Sequence, residues 1–148
     1  MPFEELHTRI DSVIDRIDEM CIEAMISMKE EIIDLNVSQL ENGIGSDGNF
    51  VGDYASAEYA GFKQSIGSKA PFGKVDTKLT GEFHSGFFAE AFHSDTEGMS
   101  GLLIDSSDEK TNRLTSWYDN LFGIAPENED IFDEVFETIQ ETIVDEIT

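Results

Sequence analysis

A chain of 148 residues is long enough to bury a core without disulfides or metals to staple it. Its 39% hydrophobic share, with eleven Phe, excludes a wholly disordered chain. The formal net charge of −23 repels phosphate and anionic lipid, and so excludes a conventional basic nucleic-acid footprint.

The charge is uneven. Residues 1–41 carry 11 acidic and 3 basic side chains, a net of −8; residues 42–100 carry 8 and 4, a net of −4; residues 101–148 carry 13 and 2, a net of −11. Most of it reads as solvated helix face, and its functional reading is a surface that slides past DNA, mimics it or docks on basic partners. The lone Cys21 has no partner for an intrachain disulfide, consistent with a reducing compartment. "MPFEELHTRIDSV" is charged where a signal peptide needs an apolar run, and no apolar run approaches the roughly 20 residues of a membrane span. The expectation is a soluble chain made inside the cell.

Leu6, Ile10, Val13, Ile17, Met20, Ala24, Met28 and Ile32 recur at spacings of four and three, which predicts an amphipathic helix from residue 3 to about 35. Ile14, Cys21, Met25 and Ile33 widen the stripe beyond a coiled-coil seam, so it has more than one neighbour to pack on.

Next comes "SDGNFVGDYASAE" (46–58), in which Asp47, Asn49, Gly52 and Glu58 take positions one, three, six and twelve of a calcium-binding EF-hand loop. Position five is Val51, which offers no side-chain oxygen, and "LENGIG" just upstream breaks any entering helix. A glycine-punctuated turn is the better reading, with Asp47 and Asp53 holding turns and the aromatic stretch from Tyr54 through Tyr59 and Phe62 acting as a flexible contact arm.

In "VDTKLTGEFHSGFF" (75–88), Leu79, Phe83 and Phe87 are spaced by four, which predicts a short helical turn capped by Thr80. "FFAEAFH" (87–93) and "MSGLLID" (99–105) read as two strands joined by "SDTEG". Residues 114–123 read as a short strand or turn followed by a one-turn helix ending at Gly123. Pro126 opens a last helix from about 126 to 147, with Ile131, Val135, Ile139, Ile143 and Ile147 on one side and carboxylates opposite. The fold class expected is α+β: a long N-terminal helix, a small antiparallel sheet with Gly-rich loops and an amphipathic C-terminal helix. It is read as a single domain, 1–148, divided at 1–35, 36–75, 76–123 and 124–148.

Catalytic signals are absent from the sequence. There is no G-x-S-x-G elbow, P-loop or dinucleotide fingerprint, and paired carboxylates drawn from 32 acidic residues carry no information. Glu90 and His93 have E-x-x-H spacing, but on a strand they face opposite sides and no second pair exists. His84 near Glu82 reads as a surface or partly buried histidine, not a ligand.

Leu79, Thr80, Gly81, Phe83, Ser85 and Phe87, set between a Gly-rich region and a hairpin after a long first helix, resemble a segment of tailed-phage morphogenesis proteins of the tail-completion, neck or head–tail connector type. Upstream, Gly43, Gly48, Gly52, Tyr54, Lys63 and Gly67 are similar to another glycine-punctuated segment of those proteins. The likeness covers about residues 38–105, and Glu82 stands where a basic residue often follows the TG pair. It implies a non-enzymatic virion protein, assembled in the host cytoplasm, with no catalytic residue, cofactor or metal. Its implied partners are itself, as a homo-oligomeric ring, and other neck or tail proteins, with neither sequence-specific nucleic-acid binding nor a membrane. The competing readings are an acidic DNA mimic that inhibits a nucleic-acid enzyme and, third, a calcium-binding module with ligands at Asp47 and Glu58.

Overall fold

The computed structural model describes residues 2–78 and 80–148, so the Leu79 of the four-residue spacing lies outside the described residues. The elements in chain order are α1 (Phe3–Glu41), α2 (Ala57–Ser65), α3 (Glu82–Ser85), β1 (Phe87–Ser94), β2 (Met99–Ser106), α4 (Thr111–Trp117) and α5 (Ile131–Ile147). β1 and β2 form a two-stranded antiparallel hairpin, and the fold is α+β. No helix among the described residues is long and apolar enough to cross a membrane. The chain packs as two compact units. One comprises residues up to Lys29 with Glu90–Leu103 and Asp130–Thr148; the other comprises Glu30–Ala89 and Ile104–Glu129.

In the first unit, Val13, Met20 and Ala24 of the α1 stripe are buried, as is Val135 of α5. The stripe loses cover towards its start, where Ile10 and Ile14 are exposed. Ile10, Val13, Ile14 and Ile17 face Ile143 and Ile147 across a gap of about 410 Å³, so the two helices meet loosely there. Arg16 Nη1 lies 2.8 Å from both carboxylate oxygens of Glu146 and ties the same pair of helices at its polar edge. The tips of the hairpin strands belong to this unit, with His93 bonded to Ser100 across them at 2.8 Å.

The second unit holds the larger core. Ile33 and Leu40 of α1 pack with Val51, Val75, Phe83, Phe87, Ala89 and Leu121. α1 therefore runs on to Glu41 instead of ending near residue 35, because Val37 and Leu40 continue its apolar face into this core. It stops where Gly43 turns to φ +81. Gly43 N donates to Leu40 O and Ile44 N to Gln39 O, a Schellman closure that a left-handed glycine permits.

Two amides on α1 then hold the distant 121–128 stretch. Asn36, fully buried, donates to Leu121 O at 2.9 Å and accepts from Gly123 N at 2.8 Å. Gln39 donates to Gly123 O and accepts from Ala125 N and Asn128 Nδ2. Pro126 consequently opens only a 3-10 turn, Pro126–Asn128, and α5 starts at Ile131 rather than near 126. Residues 114–123 also differ from expectation. An Asx turn in which Lys110 N donates to Asp108 Oδ1 starts α4 early, so the helix precedes residue 118 and the stretch up to Gly123 is irregular.

The 46–58 segment is pinned, not free. Val51 is in the core, Ser46 N donates to Asn120 O, and Val75 N donates to Gly52 O. The aromatic part that follows is the helix α2, started by Ser56, whose hydroxyl accepts from Tyr59 N.

Candidate functional site

The local chemistry of residues 54–84 is organised around a buried ion pair. Lys63, on α2, and Asp76, after the isolated bridge Asp53↔Lys74, lie 2.8 Å apart with each side chain 3% exposed. Burying two charges is costly unless their remaining bonds are filled, and here they are. Asp76 accepts from Ser68 Oγ at 2.8 Å, Lys78 N at 3.0 Å and Tyr54 Oη at 3.2 Å, while Lys63 also donates to Lys78 O. Burial alone pushes the Asp76 carboxyl up, but the Lys63 ammonium and the donated bonds outweigh it and hold the group below the usual carboxylate range. Burial pushes the Tyr54 phenol up, keeping it a neutral donor to Asp76.

Next to this pair the backbone is strained. Thr77 has φ +56, the left-handed region that a β-branched residue rarely occupies. Its hydroxyl donates to Asp76 O at 2.6 Å and lies 2.9 Å from His84 Nε2. With the hydroxyl proton committed to the carbonyl, Thr77 can only accept from His84, which fixes the proton on Nε2. His84 Nδ1 is then a buried acceptor with no partner. Burial pushes the His84 pKa down, so the imidazole is neutral at pH 7. The sequence reads this histidine as at the surface or partly buried. The structure buries it, because α3 turns its face inward with Phe83.

α3 begins differently from expectation as well. Its N-cap is Gly81, in the left-handed conformation at φ +87, and Thr80 Oγ1 lies 3.5 Å from Glu82 N, too far to serve as the cap. Phe83 is thereby directed into the core, where its ring meets Phe87 edge-on at 5.1 Å between centroids.

These elements wall a recess of about 310 Å³ in the second unit. Its apolar lining is Tyr54, Tyr59, Val75, Phe83, Leu114, Trp117 and Tyr118; its cations are Lys63, Lys78, Lys110 and Arg113. Four of the nine basic residues of the chain therefore line one recess. No carboxylate is among its described lining residues. Lys63 is neutralised by Asp76. Lys78 lies 3.3 Å from Glu41, which Lys69 also contacts, and Lys110 lies 3.5 Å from Glu82. Among the described residues Arg113 forms no ion pair and is exposed. The arrangement can bind an anionic group beside an apolar one. Thr77 also lines it, with its hydroxyl 2.9 Å from His84 Nε2, but that ring nitrogen carries the proton and cannot serve as a base towards the hydroxyl.

Tyr54 and Lys63, two residues that carry the upstream resemblance, both meet Asp76. Thr80, Gly81 and Phe83, from the second segment, line the recess. Ser85 is exposed, and Phe87 packs in the core behind it. Of the EF-hand positions, Asp47 Oδ1 accepts from Asn49 N and Asn120 Nδ2, so it closes an Asx turn and ties it to the 120 stretch. Gly52 abuts the Tyr118 ring, and Glu58 is in the first turn of α2. Among the described residues no group of three or more His, Cys, Asp and Glu is placed to hold a metal ion. Asp53 pairs with Lys74 at 2.6 Å. His93 lies 2.9 Å from Asp95 and 3.6 Å from Asp18, while Glu90 is exposed.

Sequence reasoning missed Asp76, Trp117 and Arg113. For Arg113 the available signal was scarcity: in a chain of 32 acidic residues each cation is informative, but Lys63, Lys78, Lys110 and Arg113 are spread over fifty positions and converge only in the fold. No protein-family model, curated protein or solved structure matches the chain.

Proposed function

We propose that the chain is a non-enzymatic structural subunit of a tailed-phage virion, a ring-forming head–tail connector, neck or tail-completion protein. The observation that carries this reading is large apolar surface left in water by a strongly charged chain. Trp117, Phe72 and Phe136 are each 63–64% exposed, and exposed aromatics of that size serve as anchors between subunits. The TG segment supports it in kind, since Gly81 and Phe83 shape the wall of the recess. The acidic surface suits a protein beside a DNA channel, because bound phosphate would slow passage. The acidic inhibitor remains the second reading, favoured by the concentration of carboxylates on α1 and α5.

The test is made on the phage that encodes the chain. Deletion of the gene is expected to leave filled heads and tails that fail to join, with the protein found by mass spectrometry in wild-type particles and labelled by antibody at the neck. Intact particles from the deletion would end the proposal. Recovery of a nuclease or polymerase as the partner from infected cells would replace it with the inhibitor.

A further inference from the structure

The chain presents two surfaces that complement each other in shape class and charge. The first is the recess of the second unit, a concave aromatic floor with Arg113, Lys110 and Lys78 at its walls. The second is a ridge on α5 of the first unit, where Phe132 and Phe136 stand one turn apart and exposed, Phe136 at 63%. Asp133, Glu134 and Glu137 beside them are all exposed. An exposed Phe pair on a helix is a standard anchor for a groove. Its flanking carboxylates match a recess whose described lining holds cations and no carboxylate. A chain of net charge −23 repels its own copies almost everywhere, so a contact between copies must use one of its few cationic places.

We propose that the recess is the acceptor half of a head-to-tail contact and takes the Phe132–Phe136 ridge of α5 from a second copy. Phe136 is the anchor against Trp117 and Tyr59, and Asp133 and Glu137 meet Arg113 and Lys110. This rests on the reading of the chain as a ring subunit and supplies the contact. Recess and ridge are different surfaces, so the interface is heterologous and each copy offers one of each. Repetition of the contact gives a closed ring or an open filament.

Two exposed substitutions in the full-length chain test it, each checked for an unchanged melting curve. Sedimentation of the wild type is expected to show concentration-dependent association. Arg113→Glu, which spoils the recess, and Phe136→Asp, which spoils the ridge, are each expected to raise the apparent dissociation constant at least about 30-fold. An equimolar mixture of the two variants retains one intact recess and one intact ridge, and is expected to form heterodimers and nothing larger. Trp117, the only tryptophan, reports the same event by a red shift of its emission on dissociation. Association unchanged by either variant overturns the contact while leaving the ring reading to its own particle test. A monomeric wild type, or a mixture that stays monomeric or regains the full assembly, also overturns it.

Discussion

Lys63 and Asp76 form the most consequential pair of single residues in the second unit. Removing one partner leaves the other charged and buried, so Lys63→Met is expected to lower stability by about 3–5 kcal/mol in urea unfolding. The double change Lys63→Met with Asp76→Leu is expected to cost less than the sum of the two single changes. The pH dependence follows from the two shifted groups. The Asp76 carboxyl is held below its ordinary value in the fold. Its contribution is therefore full above the ordinary carboxylate range and is lost as pH falls through the folded value. Asp76→Asn should shrink that acid limb of the stability curve. His84 is also depressed, by burial. The folded state resists protonation there, so stability declines as pH falls below about 6.5, the ordinary histidine value. His84→Gln is expected to flatten the melting-temperature profile between about pH 7 and 5. A profile identical to wild type would mean that His84 is not the group titrating. None of this was legible in the sequence: a Lys, an Asp and a His thirteen and eight positions apart carry no pattern, and burial is what gives them their properties.

Helix boundaries show where local signals fall short. Gly43 and Ser56 are residue types suited to a Schellman closure and an N-cap. Yet the sequence pattern ends α1 near residue 35, and the stretch from Tyr54 to Phe62 reads as a contact arm, so neither boundary is read from them. The start of α3 also differs from its reading, because Gly81 rather than Thr80 takes the cap position. Nothing lies within 4 Å of a methyl group built on Gly81, so Gly81→Ala tests backbone strain without a clash. It is expected to cost about 1–2 kcal/mol, read as a fall in melting temperature, with Gly81→Asn milder. The clamp on α1 is the other lesson at this scale. Asn36 interrupts an apolar stripe between Ile32 and Leu40, and a polar residue there is a readable sign of a buried amide with partners elsewhere. Which partners it has was not readable, since Leu121 and Gly123 are 85 and 87 positions away. Asn36→Leu is expected to cost about 2–4 kcal/mol by orphaning those backbone groups. It should also speed hydrogen exchange at Gly123 N while leaving amides early in α1 unchanged.

For the molecule as a whole, charge is the main influence on stability that packing does not account for. With 32 carboxylates against nine cations, self-repulsion opposes the compact state over distances that salt can screen. Raising sodium chloride from about 10 to about 150 mM shortens the screening length from roughly 30 to 8 Å. It is therefore expected to raise the melting temperature by several degrees. A flat response would mean that the ion pairs at Asp76, Glu41 and Glu146 offset the repulsion locally.

The sequence by itself determined the α+β class, the long first helix, the hairpin and the amphipathic last helix, because periodicity and turn residues are properties of neighbours along the chain. Tertiary structure alone decided that the chain packs as two units, that the 46–58 segment is anchored through Val51 and that His84 is buried. It also decided that Lys63, Lys78, Lys110 and Arg113 converge on one aromatic recess. These depend on which distant residues displace water from one another, and no spacing in the sequence encodes that.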